Sequence, residues 1–110
     1  MPPERAILVG VHATNRGRDA QMEELARLAD TAGGVIVGTL VQHRGKPVPA
    51  TFLGKGKVEE LQHLCEEATA DLVIADHELT PVQQRNLEDA LELKVIDRTA
   101  LVLDIFARRA

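Results

Sequence analysis

The chain has 110 residues, of which 13 are basic and 17 acidic, and its formal charge is −4 with neutral histidines. This length fits one domain. With two Phe and neither Trp nor Tyr, a platform of aromatic side chains for stacking unpaired bases is nearly excluded. A chain of net negative charge is also not a nucleic-acid binder by bulk charge, so any such role needs a local basic patch.

Cysteine usage and hydropathy predict the compartment. Cys65 is the one cysteine, so no internal disulfide can form, and a lone thiol favours a reducing environment. No apolar run approaches the 18 residues of a membrane span. We therefore expect a cytoplasmic protein without a membrane partner.

The first part of the chain reads as strand, helix, strand. The continuous apolar run Ala6–Val11 predicts a strand covered on both faces. Apolar residues at three- and four-residue steps over residues 22–32 predict an amphipathic helix, which Gly33 and Gly34 should end. The run Val35–Val41 predicts a second buried strand.

The alternation continues after an irregular stretch over residues 42–54. Thr80, Pro81 and Gln83 combine a capping box with a proline at the first helical position, a strong signal for a helix start. Thr99 is in a position to cap a final helix. The predicted elements of this part are a helix over 58–68, a strand over 72–75, a helix over 81–91, a strand over 95–96 and a helix over 100–109.

The predicted order βαβαβαβα indicates an α/β fold. We expect a single domain with a four-stranded, mostly parallel sheet flanked by helices, because strands joined by helices run parallel with right-handed crossovers. Ligands of such sheets usually bind beyond the carboxyl ends of the strands. Turn residues and helix caps have the same composition, so both interpretations stay open for the predicted strand-end pocket, which consists of Gly10, Asp76, Asp97, Arg98 and Thr99.

The clearest chemical signal is the segment Gly54-Lys55-Gly56-Lys57. Its glycines let the backbone approach a ligand, its lysines add positive charge, and a helix predicted from Val58 onward offers unpaired N–H groups, so an anion site is plausible. Four basic residues and no acidic one lie between Thr31 and Val58, so a segment of +4 stands on a body of −8. Besides Lys55 and Lys57, the basic residues of this segment are Arg44 and Lys46. The alternative interpretation is a solvated, flexible loop.

This segment is not a nucleotide-hydrolysing loop. The Walker A pattern ends in Gly-Lys-Ser/Thr, whereas Gly56-Lys57 is followed by Val58, so the hydroxyl that would ligate Mg²⁺ is missing. The four histidines lack metal-ligand spacing. We therefore predict no catalytic residue, no metal site and no GTP hydrolysis by this chain.

Several blocks in order resemble a known family. Gly54-Lys55-Gly56-Lys57-Val58-Glu59-Glu60 resembles the Gly-Lys-Gly-Lys-hydrophobic-Glu-Glu signature of HflX-family GTPases. The segments over residues 71–76, 79–88 and 95–110 resemble the following blocks of that family. The resemblance extends over nearly the whole chain from Arg5, and several ordered blocks are far more specific than one Gly-Lys motif.

The resemblance implies a domain organisation and a role. Residues 1–98 would be the N-terminal α/β subdomain, and residues 99–110 would start a helix leading to a helical hairpin. A Ras-like G domain would follow and would carry the GTP and Mg²⁺, so no cofactor is expected in this part. The family binds the large (50S) ribosomal subunit in ribosome rescue, splitting or biogenesis, and its N-terminal region contacts rRNA and has been credited with adenine-nucleotide binding.

Three interpretations stay open. In the first, the chain is a non-catalytic ribosome-docking module. In the second, it is an adenine-nucleotide-binding domain with ATP phosphates at the Gly54–Lys57 loop. In the third, it is a homodimer formed through the apolar final helix at Leu101, Ile105 and Phe106. The phosphate- or rRNA-binding residues predicted under the first interpretation are Arg44, Lys46, Gly54, Lys55, Gly56 and Lys57.

Overall fold

The computed structural model describes residues 3–14 and 17–109, and in these residues strands and helices alternate along the chain. The continuous apolar runs form the strands, and the three- and four-residue apolar steps form the helices, as their periodicities predict. The elements are β1 (Arg5–His12), α1 (Arg18–Thr31), β2 (Val35–His43), α2 (Lys55–Ala68), β3 (Leu72–Ala75), α3 (Pro81–Leu91), β4 (Lys94–Asp97) and α4 (Arg98–Arg109).

The four strands of the described chain form one sheet in the order β2-β1-β3-β4. Every neighbouring pair is parallel, so the predicted α/β class and four-stranded sheet are confirmed. The pairing of β1 with β2 shifts register once, between Ala6 and Ile7. Because β2 and β3 lie on opposite sides of β1, the chain reverses direction across the sheet there, and ligand sites of such sheets form next to that reversal.

Helices cover both faces of the sheet. On one face, α1 and α4 pack over a core that includes Leu8, Leu25 and Leu101. On the other face, α2 and α3 pack over a core that includes Leu61 and Leu87. The central strand β1 is therefore buried on both sides, from Ala6 to His12, which explains its unbroken apolar sequence. Within the described residues, no helix has both the length and the apolar character needed to cross a membrane.

Two helices begin earlier than the periodicity of their apolar residues predicts. Helix α2 begins at Lys55, three residues before Val58, and the Val58 N–H donates to the Gly54 carbonyl at 2.9 Å. Helix α4 begins at Arg98, so Thr99 lies inside it and is not its cap. In both cases the polar first turn projects beyond the apolar stripe, which marks only the part of a helix that packs against the core.

Candidate functional site

The carboxyl edge of the sheet collects most of the predicted site residues. Each strand ends at this edge and the following helix begins there, so the amino termini of α2, α3 and α4 lie along it. The edge has two parts. One is a buried polar network between β1, β3 and α4. The other is a basic surface between the end of β2 and the start of α2.

The buried network centres on Asp76, whose side chain is 3% exposed. The Arg98 Nη1 donates to its Oδ1 at 2.9 Å, and the His12 Nε2 lies 3.5 Å from its Oδ2. The Arg98 Nη2 also pairs with Glu24 on α1. Arg98 is therefore held between two carboxylates, and the charge of Asp76 is matched inside the fold.

Asp97 has a structural role. Its Oδ1 accepts the Ala100 N–H and its Oδ2 accepts the Leu79 N–H, both at 2.9 Å. The first bond satisfies an orphan donor in the first turn of α4, which is the function of an N-terminal cap. Thr99, which the sequence suggested for this function, lies two residues after Asp97, inside α4, and is exposed.

Gly10 lies within β1 rather than at its end, and its lack of a side chain has a packing reason. A β-carbon placed there would lie 2.8 Å from the His12 Nε2 and 3.0 Å from the Met22 sulfur. The centroids of the His12 and His77 rings lie 5.4 Å apart, and those of the His77 and Phe52 rings lie 5.6 Å apart. Gly10 thus makes room for the histidine beside Asp76.

The basic surface, which we call the cationic rim, consists of Arg44, Lys46, Lys55 and Lys57. Arg44 and Lys46 follow β2, and Lys55 and Lys57 begin α2. A hydrogen bond joins these two segments, because the Gly54 N–H donates to the Gln42 Oε1 at 2.7 Å. A β-carbon on Gly54 would lie 2.9 Å from the Gln42 Nε2 and 3.5 Å from the Arg44 Nη1. Glycine at position 54 therefore lets the end of β2 approach the first turn of α2.

The first turn of α2 has an electrostatic character opposite to that of most helices. Gly54 offers no side-chain cap, and no acidic residue lies in the first turn, where Asp and Glu are normally favoured by the helix dipole. Lys55 is exposed, and Lys57 pairs with Glu60 of its own helix at 2.8 Å. The Lys55 charge thus adds to the positive end of the dipole, whereas the Lys57 charge is matched in part by Glu60.

The segment between β2 and α2 is anchored from α3. The Gln83 Nε2 donates to the Val48 carbonyl and the Asn86 Nδ2 to the Ala50 carbonyl, both at 2.9 Å. Phe52 is fully buried and adopts a left-handed φ of 67°. The irregular stretch over residues 42–54 therefore contains a fixed turn, which lies in the chain between the two pairs of basic residues that form the cationic rim.

The remaining polar and open features lie away from this rim. A groove of about 440 Å³ opens between α1 and α4, where Gly33, Gly34 and Leu101 are among its lining residues, and another of about 360 Å³ is lined by Gln62 and Ala90 among others. Burial raises the pKa of the Cys65 thiol, and the nearby Glu66 carboxylate raises it further. Among the residues that the structure describes, no group of three or more His, Cys, Asp and Glu side chains could hold a metal ion.

With this geometry in place, comparison with known proteins identifies the family. Residues 19–107 match the profile of the family described as GTP-binding GTPase N-terminal. The chain belongs to this family. It is similar over its length to the HflX GTPases, so it corresponds to their N-terminal domain.

Two relatives and one solved structure illustrate the similarity. GTPase HflX of Caldanaerobacter subterraneus is 49% identical over 97% of this chain and 25% of its own length, and GTPase HflX of Escherichia coli K12 is 39% identical over the same shares. The chain thus spans about a quarter of these relatives. A crystal structure of SsGBP in complex with GDP superposes with a TM-score of 0.73 over 96% of this chain and 30% of the other, at 20% identity, which supports the fold.

The structure adds site residues that the sequence did not single out. Glu24 reaches the strand-end network from α1, and Gln42 and Gln83 fix the backbone around the rim. Gln83 was named in the sequence only for the capping box of α3, as its N3 residue, and its bond to the loop before the rim was not predicted. For Glu24 and Gln42 no local pattern exists, because their partners are 74 and 12 residues away.

Proposed function

We propose that this domain docks on the large ribosomal subunit by holding rRNA phosphates at the cationic rim. The proposal rests on the amino terminus of α2, where the exposed Lys55 and the half-exposed Lys57 surround a glycine-capped helix start. The first N–H groups of a helix have no partner within it. They and the lysine ammonium groups together suit a phosphate oxygen.

The charge distribution gives the docking a direction. The rim belongs to the segment of +4, and the rest of the chain carries −8. A polyphosphate surface attracts the positive segment and repels the negative rest of the chain, so the rim would face the RNA. Phosphate contacts of this kind position a protein on RNA without reading its sequence. This agrees with a domain in which Phe52 is buried and the exposed Phe106 lies on α4, on the opposite face of the sheet from α2.

The adenine-nucleotide alternative would use the same groups, since ATP phosphates also suit a helix amino terminus. The buried Phe52 offers no stacking surface for adenine beside the rim, and the two grooves described above lie elsewhere. We therefore favour RNA docking. GTP and Mg²⁺ would belong to a further part of the whole protein, and we expect no GTP hydrolysis by this chain because its Gly56-Lys57 is followed by Val58.

The test is binding of the 110-residue chain to purified large subunits, measured by cosedimentation at two salt concentrations. Four phosphate contacts give a log–log slope of roughly −3 to −4, so affinity should fall roughly 100-fold between 50 and 200 mM salt. At either salt concentration, the variant Lys55→Glu with Lys57→Glu should lose most of the binding that the parent chain shows. A matched control, Arg27→Glu with Lys94→Glu, reverses two exposed charges outside the rim and should bind nearly as the parent chain does.

Two results would overturn the proposal. One is affinity that does not change with salt. The other is equal loss of binding in the rim variant and in the control, since that would reflect net charge alone. A thermal shift in millimolar ATP that disappears in the rim variant, without any subunit binding, would instead support the nucleotide alternative.

A further inference from the structure

The strand β2 forms an open edge of the sheet. The strand order places β2 and β4 at the two edges, and within the described chain β2 pairs with β1 alone. It is nine residues long, from Val35 to His43, whereas β4 has four. An edge strand presents a row of backbone N–H and C=O groups to which another strand can pair.

The two edges differ in protection. Natural edges are protected by shortness, by charged side chains or by proline, and β4 is short and begins and ends with the charged residues Lys94 and Asp97. The sequence of β2, Val-Ile-Val-Gly-Thr-Leu-Val-Gln-His, contains neither Lys, Arg, Asp, Glu nor proline. A β-bulge also protects an edge, and the single register shift of β2 leaves Val37 as an extra residue near its start, so only the stretch from Gly38 onward is regular and open to pairing. Val35 is 44% exposed and Thr39 is exposed.

We propose that β2 pairs with β2 of a second copy of this chain, antiparallel about a twofold axis, so that two sheets join into one of eight strands. Two identical strands paired this way bring no like charges opposite one another, since β2 has none, and like charges at such positions would be destabilising. Five of its nine residues are β-branched, the type that favours strand pairing. A charged partner such as RNA finds no complementary charge along this strand.

The stoichiometry follows from the contrast between the edges. A twofold contact uses the same surface of both partners and is closed when it forms. Since the β4 edges of the pair are short and charged, growth beyond two copies is opposed. A contact through one strand and its flanks is smaller than the roughly 800 Å² per partner of stable complexes, so we expect a weak dimer, with a dissociation constant on the order of 100 µM.

The test is sedimentation equilibrium of the 110-residue chain from 10 µM to 1 mM, in about 150 mM salt. The parent chain should show a monomer–dimer equilibrium. Thr39→Lys places an ammonium group in the middle of the exposed edge and should weaken the dimer at least tenfold. The control Thr31→Lys makes the same exchange at an exposed position in the last turn of α1, where a lysine suits the helix dipole, and should dimerise as the parent chain does.

A second measurement locates the contact without any variant, which protects the test if Thr39→Lys is poorly folded. In a dilution series followed by amide NMR, resonances of β2 should shift with concentration while those of β4 stay constant. The proposal is overturned if the chain stays monomeric at 1 mM, or if assemblies larger than dimers dominate. It is also overturned if the dimer survives in folded Thr39→Lys, or if the shifts map to α4 around the exposed Leu103 and Phe106. None of these results depends on ribosome binding.

Discussion

The amino termini of α2 and α3 lie along the same edge of the sheet and are built in opposite ways. At α3, the Thr80 hydroxyl accepts the Gln83 N–H, the Gln83 side chain accepts the Thr80 N–H, and Pro81 has no N–H that would need an acceptor. At α2, Gly54 leaves the first turn without a side-chain cap, and two lysines occupy it. The start of α3 is therefore satisfied by its own residues, whereas the first turn of α2 has no side-chain cap, and we propose that it meets a ligand.

This difference separates residues that hold the fold from residues that are available for binding. Gln83 is buried and also supports the turn that precedes the rim, through its bond to the Val48 carbonyl. The lysines are exposed or half-exposed, and their one described ion pair, between Lys57 and Glu60, lies on the surface, where such a pair contributes little to stability. Substitutions at the two helix starts should consequently differ in size and even in sign.

The largest effect is expected for Gln83→Ala. It removes the side-chain bonds to the Thr80 N–H and the Val48 carbonyl and the packing of a buried side chain, so we expect a loss of about 2 to 3 kcal/mol in the free energy of unfolding, measured by urea denaturation. Gln21→Ala, at an exposed position of α1, serves as the control and should change stability by less than about 0.5 kcal/mol. Equal losses in both variants would contradict the capping box as the source.

A smaller effect is expected for Thr80→Ala, which deletes the cap but keeps Gln83. Loss of a threonine cap should cost about 1 kcal/mol, visible as a drop in Tm of about 4 to 8 °C. Thr99→Ala provides the comparison, because Thr99 lies exposed inside α4 and Asp97 provides the cap there. If Thr99→Ala proved the more destabilising of the two, the assignment of the cap of α4 to Asp97 would be wrong.

The smallest effect, and the one of opposite sign, is expected for Lys55→Glu. A carboxylate in the first turn of α2 suits the helix dipole better than an ammonium group does, by about 0.3 to 1 kcal/mol, and repulsion from Glu59 four residues on offsets about 0.2 to 0.5 kcal/mol of this. Stability should therefore rise slightly while binding to large subunits weakens. Lys46→Glu makes the same charge change on the rim but outside a helix, and it should weaken binding without the gain in stability. A loss of stability in Lys55→Glu would show that Lys55 supports the fold, and the contrast between the two helix starts would then fail.

Much of the fold could be predicted from local patterns. The apolar runs located all four strands, and the parallel α/β sheet followed from their alternation with helices. The helix starts were less accessible. The capping box at Thr80 is confirmed because its residues are neighbours in sequence. The cap of α4 was missed because the Asp97 carboxylate chooses its partner only when Leu79 and Ala100 lie beside it.

For the candidate site, the sequence by itself determined that four basic residues and no acidic residue lie between Thr31 and Val58, and that Gly54 and Gly56 stand beside the two lysines of α2. Only the tertiary structure decided that Arg98 is held by Asp76 and Glu24, whereas the Lys55 side chain lies exposed. The reason is physical. Local patterns record the cost of turns, caps and apolar periodicity, which depend on near neighbours. Whether a charge is matched depends on groups that folding brings from distant parts of the chain.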